Sequence, residues 1–435
     1  MTITAVLCIL VELFTAFIHH AHALQPVSAG KLIHSENRRT QSTALSRRDS
    51  IQAGFASFGA CALPGIAQAR PFLTEDTTRN EVAVRPEAGR TYFPAITPPF
   101  WNRATLRYTL GGNMWAFEQL LTFANVTATI RSNVVRLEDG SLWVSSPVYP
   151  TGELCALLDE LPGEVRHIVL SCNAFEHKAA LRDFARRYPN ADVWVAPGQY
   201  GPLGGTFQGT SFSVLPPPAS SERPAWSSEI DYKVLFIDIP ENAGPVSEVA
   251  FFHRPTKTLL VTDAVVFIPN RWESYGGGEE TNIFSTYFDR ATIADPSFWP
   301  RTVLQAVFLP LRQNEDGSFP GFDRIANRLV RAPILRGFND ARGAPETRQW
   351  IAAIAADWKF DRIVTSHFAS PITAGPNDLL DTFSYLFDDD QTGASKREDV
   401  VYCRDWELLN GLNEVIAQYG LGAPALFDYS KGCIP

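Results

Sequence analysis

The sequence predicts an α/β fold, and three observations carry that prediction. Residues 165–197, VRHIVLSCNAFEHKAALRDFARRYPNADVWVAP, read as strand, helix, strand. Residues 130–148 alternate about the pair Asp139-Gly140 as a β-hairpin. Two further apolar runs end in a polar residue, Thr258–Thr262 at Asp263 and Arg362–Ser366 at His367.

In the first stretch, His167-Ile168-Val169-Leu170-Ser171 is a short buried-strand pattern that breaks at Cys172-Asn173. A helical pattern starts near Glu176, puts Ala180, Leu181 and Phe184 on one face, and stops at Tyr188-Pro189-Asn190. The second strand is Asp192–Ala196. Strands joined by a helical crossover run parallel.

The chain has 435 residues, enough for one large domain or two. Hydrophobic residues make up 45% and charged residues 20%, as in an ordinary globular protein. Beyond residue 69 there are 33 basic and 44 acidic residues, a formal charge of -11. An acidic body excludes nucleic acid as a bulk partner. None of the six cysteines forms a CxxC pair, which excludes a zinc ribbon and a thioredoxin motif.

Residues 1–69 read as a targeting region of three signals in series. Thr4–Phe17 is an apolar core interrupted by Glu12, followed by Ala21-His22-Ala23 as a cleavage site. It has no basic start and is too short and broken for a stable membrane span, a retained anchor being the alternative. Residues 24–45 are rich in Ser, Thr, Arg and Gln with Glu36 the one acid, a transit-peptide composition. Ser46-Arg47-Arg48-Asp49, a small-residue run and Ala67-Gln68-Ala69 follow the twin-arginine pattern. The series predicts import into a plastid (chloroplast), with the thylakoid lumen as endpoint and a mature chain starting near Arg70.

Residues 70–112 are Pro-rich and are expected to be an irregular arm, with Tyr92–Pro99 extended. Residues 113–387 form the main domain. Its hairpin runs from Val134, Val135 and Leu137 through the turn to Leu142, Trp143 and Val144, and Thr151–Leu161 is an amphipathic helix. Residues 198–228, rich in Gly, Pro and Ser, are a long loop. Val234–Asp238 and Val249–His253 are strands, and 270–297 is an irregular insertion containing Gly276-Gly277-Gly278. Helical patterns lie at 300–310, 321–336 and 345–357. Residues 388–435 are a tail, acidic and then helical from Val400 to Tyr419; Cys403 and Cys433 would pair in an oxidising lumen.

His177, Asp263 and His367 each lie at or just beyond the carboxyl end of an apolar β run. Such ends converge on one rim in layered α/β folds. Glu176 joins them by adjacency. Two imidazoles and two carboxylates suit one divalent cation, Zn, Fe or Mn. Each residue also has a plain structural reading: Glu176 closes a capping box, His177 starts a helix, Asp263 caps a turn, His367 fills the core. Cys172 is either a fifth ligand, as a thiolate, or a small buried filler. His167 and His253 read as structural. There is no G-x-S-x-G, P-loop or Rossmann glycine pattern.

The stretches RSNVVRLEDGSLWVSSPV, EHKAALRDFARRYPNADVWVAPGQ, KTLLVTDAVVFIP and DWKFDRIVTSHFASPI resemble the uncharacterised family of metallo-β-lactamase-like proteins of cyanobacteria and plastids. The resemblance covers about residues 113–385 and implies a four-layer αββα sandwich with loop insertions. The superfamily's metal motif, T-H-x-H-x-D-H, falls on Ser171–His177. Cys172 and Ala174 stand where it has its early histidines, and no histidine stands near Gly244, where a third is expected. Glu176 and His177 keep the acid and the last histidine, Asp263 matches the bridging acid, and His367 the final histidine. The resemblance therefore implies one metal at the second site or none. It implies a mono-metal, hydrolase-like enzyme acting on an ester, thioester or phosphoester of a small molecule. The alternative is a metal-free scaffold binding a protein partner in the plastid, with Trp226, Trp272 and Trp299 in long loops as contact area.

Overall fold

The computed structural model describes residues 104–123, 126–199, 210–217, 220–239, 244–274, 282–387, 400–418, 424–430 and 432–435. The targeting region, Tyr92–Pro99, the triple glycine and the acidic start of the tail lie outside the described residues.

Two sheets make the body. The first has seven strands in sequence order: β1 Leu106–Gly111, β2 Met114–Phe123, β3 Val126–Arg136, β4 Leu142–Ser145, β5 Val165–Leu170, β6 Asp192–Val195 and β7 Ser213–Val214. Strands β1 to β4 are antiparallel, and β4 to β7 are parallel. The second contains β8 Ile230–Ile237, β9 Val246–His253, β10 Thr258–Leu260, β13 Arg362–Val364 and β14 Ile372–Thr373, in the order β14-β13-β10-β9-β8. Its β10 and β13 are parallel neighbours. A small third sheet pairs β11 Val266–Ile268 with β12 Arg328–Val330.

The alternation of each central strand separates two cores. Val135, Trp143 and Val169 face the second sheet and join Phe251 and Leu259 in the large core. Their chain neighbours Val134, Val144 and Ile168 face outward, onto α1 Gly152–Asp159 and α3 Leu181–Arg187, through Leu154, Leu158, Leu181 and Phe184. Helix α1 starts where Thr151 accepts a hydrogen bond from the Leu154 amide at 3.1 Å, an N-cap. On the far side, α9 Ala341–Asp357 lies against β8, and Trp350 Nε1 donates to the Lys233 carbonyl at 3.0 Å. The layering is helix, sheet, sheet, helix, as expected. Asp139 Oδ1 accepts from the Ser141 amide at 2.8 Å in the β3–β4 turn, where Gly140 has φ +86°.

Several elements differ from expectation. The helix starting near Glu176 is two pieces, α2 Phe175–Lys178 and α3, with His177 fully buried between the layers. Residues 106–111, expected irregular, form β1 and extend the sheet. The insertion 270–297 carries α4 Ile283–Tyr287 and α5 Arg290–Ile293, capped by Asn282 and Asp289. It leads into α6 Phe298–Ala306. The span 321–336 is α7 Pro320–Ile325, strand β12, and α8 Pro333–Leu335, because β12 is drawn into pairing with β11.

The three tryptophans expected as contact area are in the core. Trp226, Trp272 and Trp299 are 2%, 4% and 3% exposed. Trp226 packs edge-on against Trp143. The indoles of Trp272 and Trp299 donate to the carbonyls of Ile293 and Pro269 at 3.0 and 2.7 Å, so each buried N–H is satisfied. The main domain closes with α10 Pro376–Thr382; in the tail, α11 is Glu407–Gln418, and Cys403 and Cys433 form the expected disulfide. Among the described residues no helix is long and apolar enough to cross a membrane.

Candidate metal centre

Strands β10 and β13 run side by side and end together: the Val261 amide donates to the Val364 carbonyl at 2.9 Å, and the Ser366 amide to Thr262 at 3.2 Å. The loops that follow carry Asp263 and His367. The end of β5 meets β9 across the sandwich, where the Val249 amide donates to the Ser171 carbonyl at 2.7 Å. That contact brings α2, with Glu176 and His177, to the same rim. Candidate ligand atoms of Glu176, His177, Asp263 and His367 all lie within 4.8 Å of one another.

Three of these atoms face each other closely. His177 Nε2 and His367 Nε2 are 3.1 Å apart. Asp263 Oδ1 lies 3.1 Å from His367 Nε2 and 3.5 Å from His177 Nε2. His367 Nδ1 is 2.5 Å from the Thr129 carbonyl, which only accepts, so Nδ1 carries a proton and, in the neutral ring, Nε2 presents a lone pair. Two lone pairs, on His367 and Asp263, thus converge with a third nitrogen, and only a proton or a cation reconciles them. Donors held about 2.0–2.1 Å from one tetrahedral ion stand about 3.3 Å apart, which the observed separations match. His177 Nδ1 finds no hydrogen-bond partner among the described residues.

The electrostatics agree. Burial alone would push the His177 imidazole down, but the charge and hydrogen bond of Asp263 and the charges of Glu176 and Glu248 outweigh it and raise it. Burial likewise opposes ionisation of Asp263, yet the two imidazoles hold its carboxyl well below the usual carboxylate range. Cys172 lies outside the ligand set. It is fully buried, and burial with the charges of Asp263, Glu176 and Glu248 pushes its thiol far up, which favours the small buried filler over the thiolate.

The structure adds residues that the sequence reading missed. Glu248 Oε1, from β9, accepts the backbone N–H groups of Thr262, Asp263 and Ala264 at 3.0, 2.9 and 2.9 Å. Burial, then the charge of Asp263, pushes its carboxyl up to about 7, against Arg331 and those donors. Arg331 holds the carbonyls of the same turn, Asp263 and Ala264. On the other loop Arg131 holds the carbonyls of Thr365 and Phe368, and the Thr129 hydroxyl accepts from the Phe368 amide at 2.9 Å. A signal was present: Glu118 and Arg131 are ionisable residues inside apolar strands, and they stand directly opposite one another. Between Cys172 and Ala174, Asn173 ties the β5 end to the start of β9. Its Nδ2 donates to Pro245 at 2.7 Å and its Oδ1 accepts from the Ser247 amide at 3.1 Å.

No curated protein matches the chain. Among solved structures it is similar to a fragment of a putative diflavin flavoprotein A 5 from Nostoc sp. PCC 7120. That match has 13% identity over 66% of this chain and 95% of that one, with a TM-score of 0.37. It is also similar to the metal-soaked Flv1 flavodiiron core from Synechocystis sp. PCC6803, at 9% identity over 74% and 71% and a TM-score of 0.41. A third is a metallo-beta-lactamase from Pontibacter korlensis, at 13% identity over 66% and 100% and a TM-score of 0.33. The family described as a domain of unknown function, DUF4336, matches over residues 111–315 and 311–385, and the chain belongs to that family.

Proposed function

We propose that this protein holds one divalent cation, Zn, Fe or Mn, through Glu176, His177, Asp263 and His367, and hydrolyses an ester, thioester or phosphoester of a small molecule. The observation that carries the reading is the mutual approach of His177 Nε2, His367 Nε2 and Asp263 Oδ1 to between 3.1 and 3.5 Å. A donor set of nitrogen and carboxylate oxygen without thiolate suits those three ions. A cation bound there would act as a Lewis acid and lower the pKa of a coordinated water toward about 7. The protein's own residues set the frame. The buried His177 forms the floor, while Glu176, Asp263 and His367 are half-buried and leave the rim reachable from solvent. Thr129 keeps the lone pair of His367 turned inward.

The same reading assigns the protein to a plastid, on the three signals in residues 1–69, and the Cys403–Cys433 bond fits an oxidising lumen. The scaffold alternative is weakened by burial of the tryptophans that would have formed its contact surface.

The test is turnover of chromogenic ester, thioester and phosphoester substrates by protein supplied in turn with Zn, Fe(II) and Mn. At least one bond class is expected to be cleaved, and His367→Ala is expected to remove that turnover. Turnover that survives His367→Ala, or metal-loaded protein inert toward all three classes, would sink the hydrolase reading.

A further inference from the structure

We infer that Arg131 and Arg331 are positioning residues for the cation site, each fixing one ligand-bearing loop before the ion arrives. The inference rests on the cation reading above and adds how the site is kept in register.

Arg131 reaches from β3 into the loop after β13. Its Nη1 donates to the Thr365 carbonyl and its Nη2 to the Phe368 carbonyl, each at 2.6 Å, so the guanidinium brackets His367. Phe368 has φ +54°, a left-handed conformation that a bulky residue adopts only when held. Arg131 holds its C=O, and the Thr129 hydroxyl holds its N–H. The charge is matched by Glu118, 2.6 Å away and fully buried, which also accepts from the Tyr108 hydroxyl at 2.7 Å.

Arg331 does the same for the other loop. It follows β12, and its Nη1 donates to the Asp263 and Ala264 carbonyls at 3.3 and 3.2 Å. Its Nε and Nη2 form a fork onto Asp340 at 3.1 and 2.9 Å. Asp340 also accepts from the hydroxyls of Tyr385 and Thr347, at 2.5 and 3.2 Å. Both arginines are buried, at 3% and 4% exposure.

Two separate buried ion pairs therefore aim their spare donors at the two loops that carry ligands. A buried ion pair is weak evidence for stability, because desolvation offsets its attraction. Its use here is directional: each planar guanidinium pairs with a carboxylate and also holds two loop carbonyls, through Nη1 and Nη2 in Arg131 and through Nη1 alone in Arg331, a fixed geometry that the rotatable ammonium of lysine does not keep. Loops held in advance leave less ordering to be supplied when the ion binds. Arg362 is the built-in contrast. It holds the Leu110 carbonyl at 2.5 Å and the Thr258 hydroxyl at 2.8 Å from the start of β13, the opposite end of that strand from the His367 loop.

The experiment compares wild type with Arg131→Met, Arg331→Met and Arg362→Met as full chains. Zn affinity is read by competition with a chelating dye, the Co(II) absorption spectrum reports ligand geometry, and circular dichroism reports folding. Arg131→Met and Arg331→Met are expected to weaken Zn binding by about 10- to 100-fold and to alter the Co(II) spectrum. Arg362→Met is expected to lower Tm and leave both metal readouts unchanged. If either Met variant does not fold, Arg131→Lys and Arg331→Lys, which keep the charge and lose the fork, are expected to show the same weakening. Wild-type binding with unchanged affinity in both clamp variants would overturn this inference alone, as would an equal loss in Arg362→Met. A wild type that takes up neither ion overturns the cation reading and this inference with it.

Discussion

Asp263→Asn is expected to weaken Zn or Mn binding by more than about a hundredfold, beyond the range that the outer partners of a metal site control. Asp263 Oδ1 is the atom both imidazoles face. Asparagine keeps the shape and removes the charge, and its amide can point an N–H at the lone pair of His367, so the fold should persist. Burial would raise this carboxyl, but the two imidazoles hold it down, so it stays ionised through the mildly acid range. A depressed carboxyl contributes stability above its unfolded value of about 3.9, and that contribution is lost as pH falls below it. The asparagine variant should therefore also flatten the acid limb of the stability profile. Equilibrium titration checks the first effect; an affinity within about threefold of wild type would remove Asp263 from the ligand set.

Glu248→Ala is expected to cost about 3–5 kcal/mol. One carboxylate oxygen satisfies three backbone N–H groups of the Thr262–Ala264 turn in a site only 5% exposed. A buried donor left unpaired costs about 1–3 kcal/mol, so three would cost about 3–9 kcal/mol. Removing a buried acid raised to about 7 returns part of the desolvation cost, which brings the net down. Glu248→Gln keeps an acceptor oxygen and is expected to lose less than about half as much. Urea unfolding distinguishes the two. Equal losses for Ala and Gln would mean that the oxygen's acceptor role is not what stabilises the turn.

What the sequence made legible was what depends on local period. The β5–helix–β6 unit, the hairpin turn at Asp139-Gly140 and the amphipathic helix that begins at Thr151 are written in neighbouring residues. The convergence of Glu176, His177, Asp263 and His367 was legible because each follows an apolar β run, and carboxyl ends of strands share a rim. The supporting residues were not. Glu248, Arg131 and Arg331 act on backbone groups of distant loops, and no spacing rule links residue 131 to residue 365. Their one clue was an ionisable side chain where the pattern called for an apolar one. Strand β12 was hidden because three residues between helices take their state from their partner β11. The tryptophans misled because Gly- and Pro-rich surroundings suggest an exposed loop, whereas the buried indole N–H groups of Trp272 and Trp299 each meet a backbone carbonyl.

The central claim is that His177, Asp263 and His367 meet because they share an ion. Elemental analysis of the purified full chain, alone and after exposure to Zn, Fe(II) or Mn, tests it most directly. The expected result is about one ion per chain, lost in both His177→Ala and His367→Ala. Less than about a tenth of an equivalent under every condition, or a full equivalent retained by both alanine variants, would contradict it.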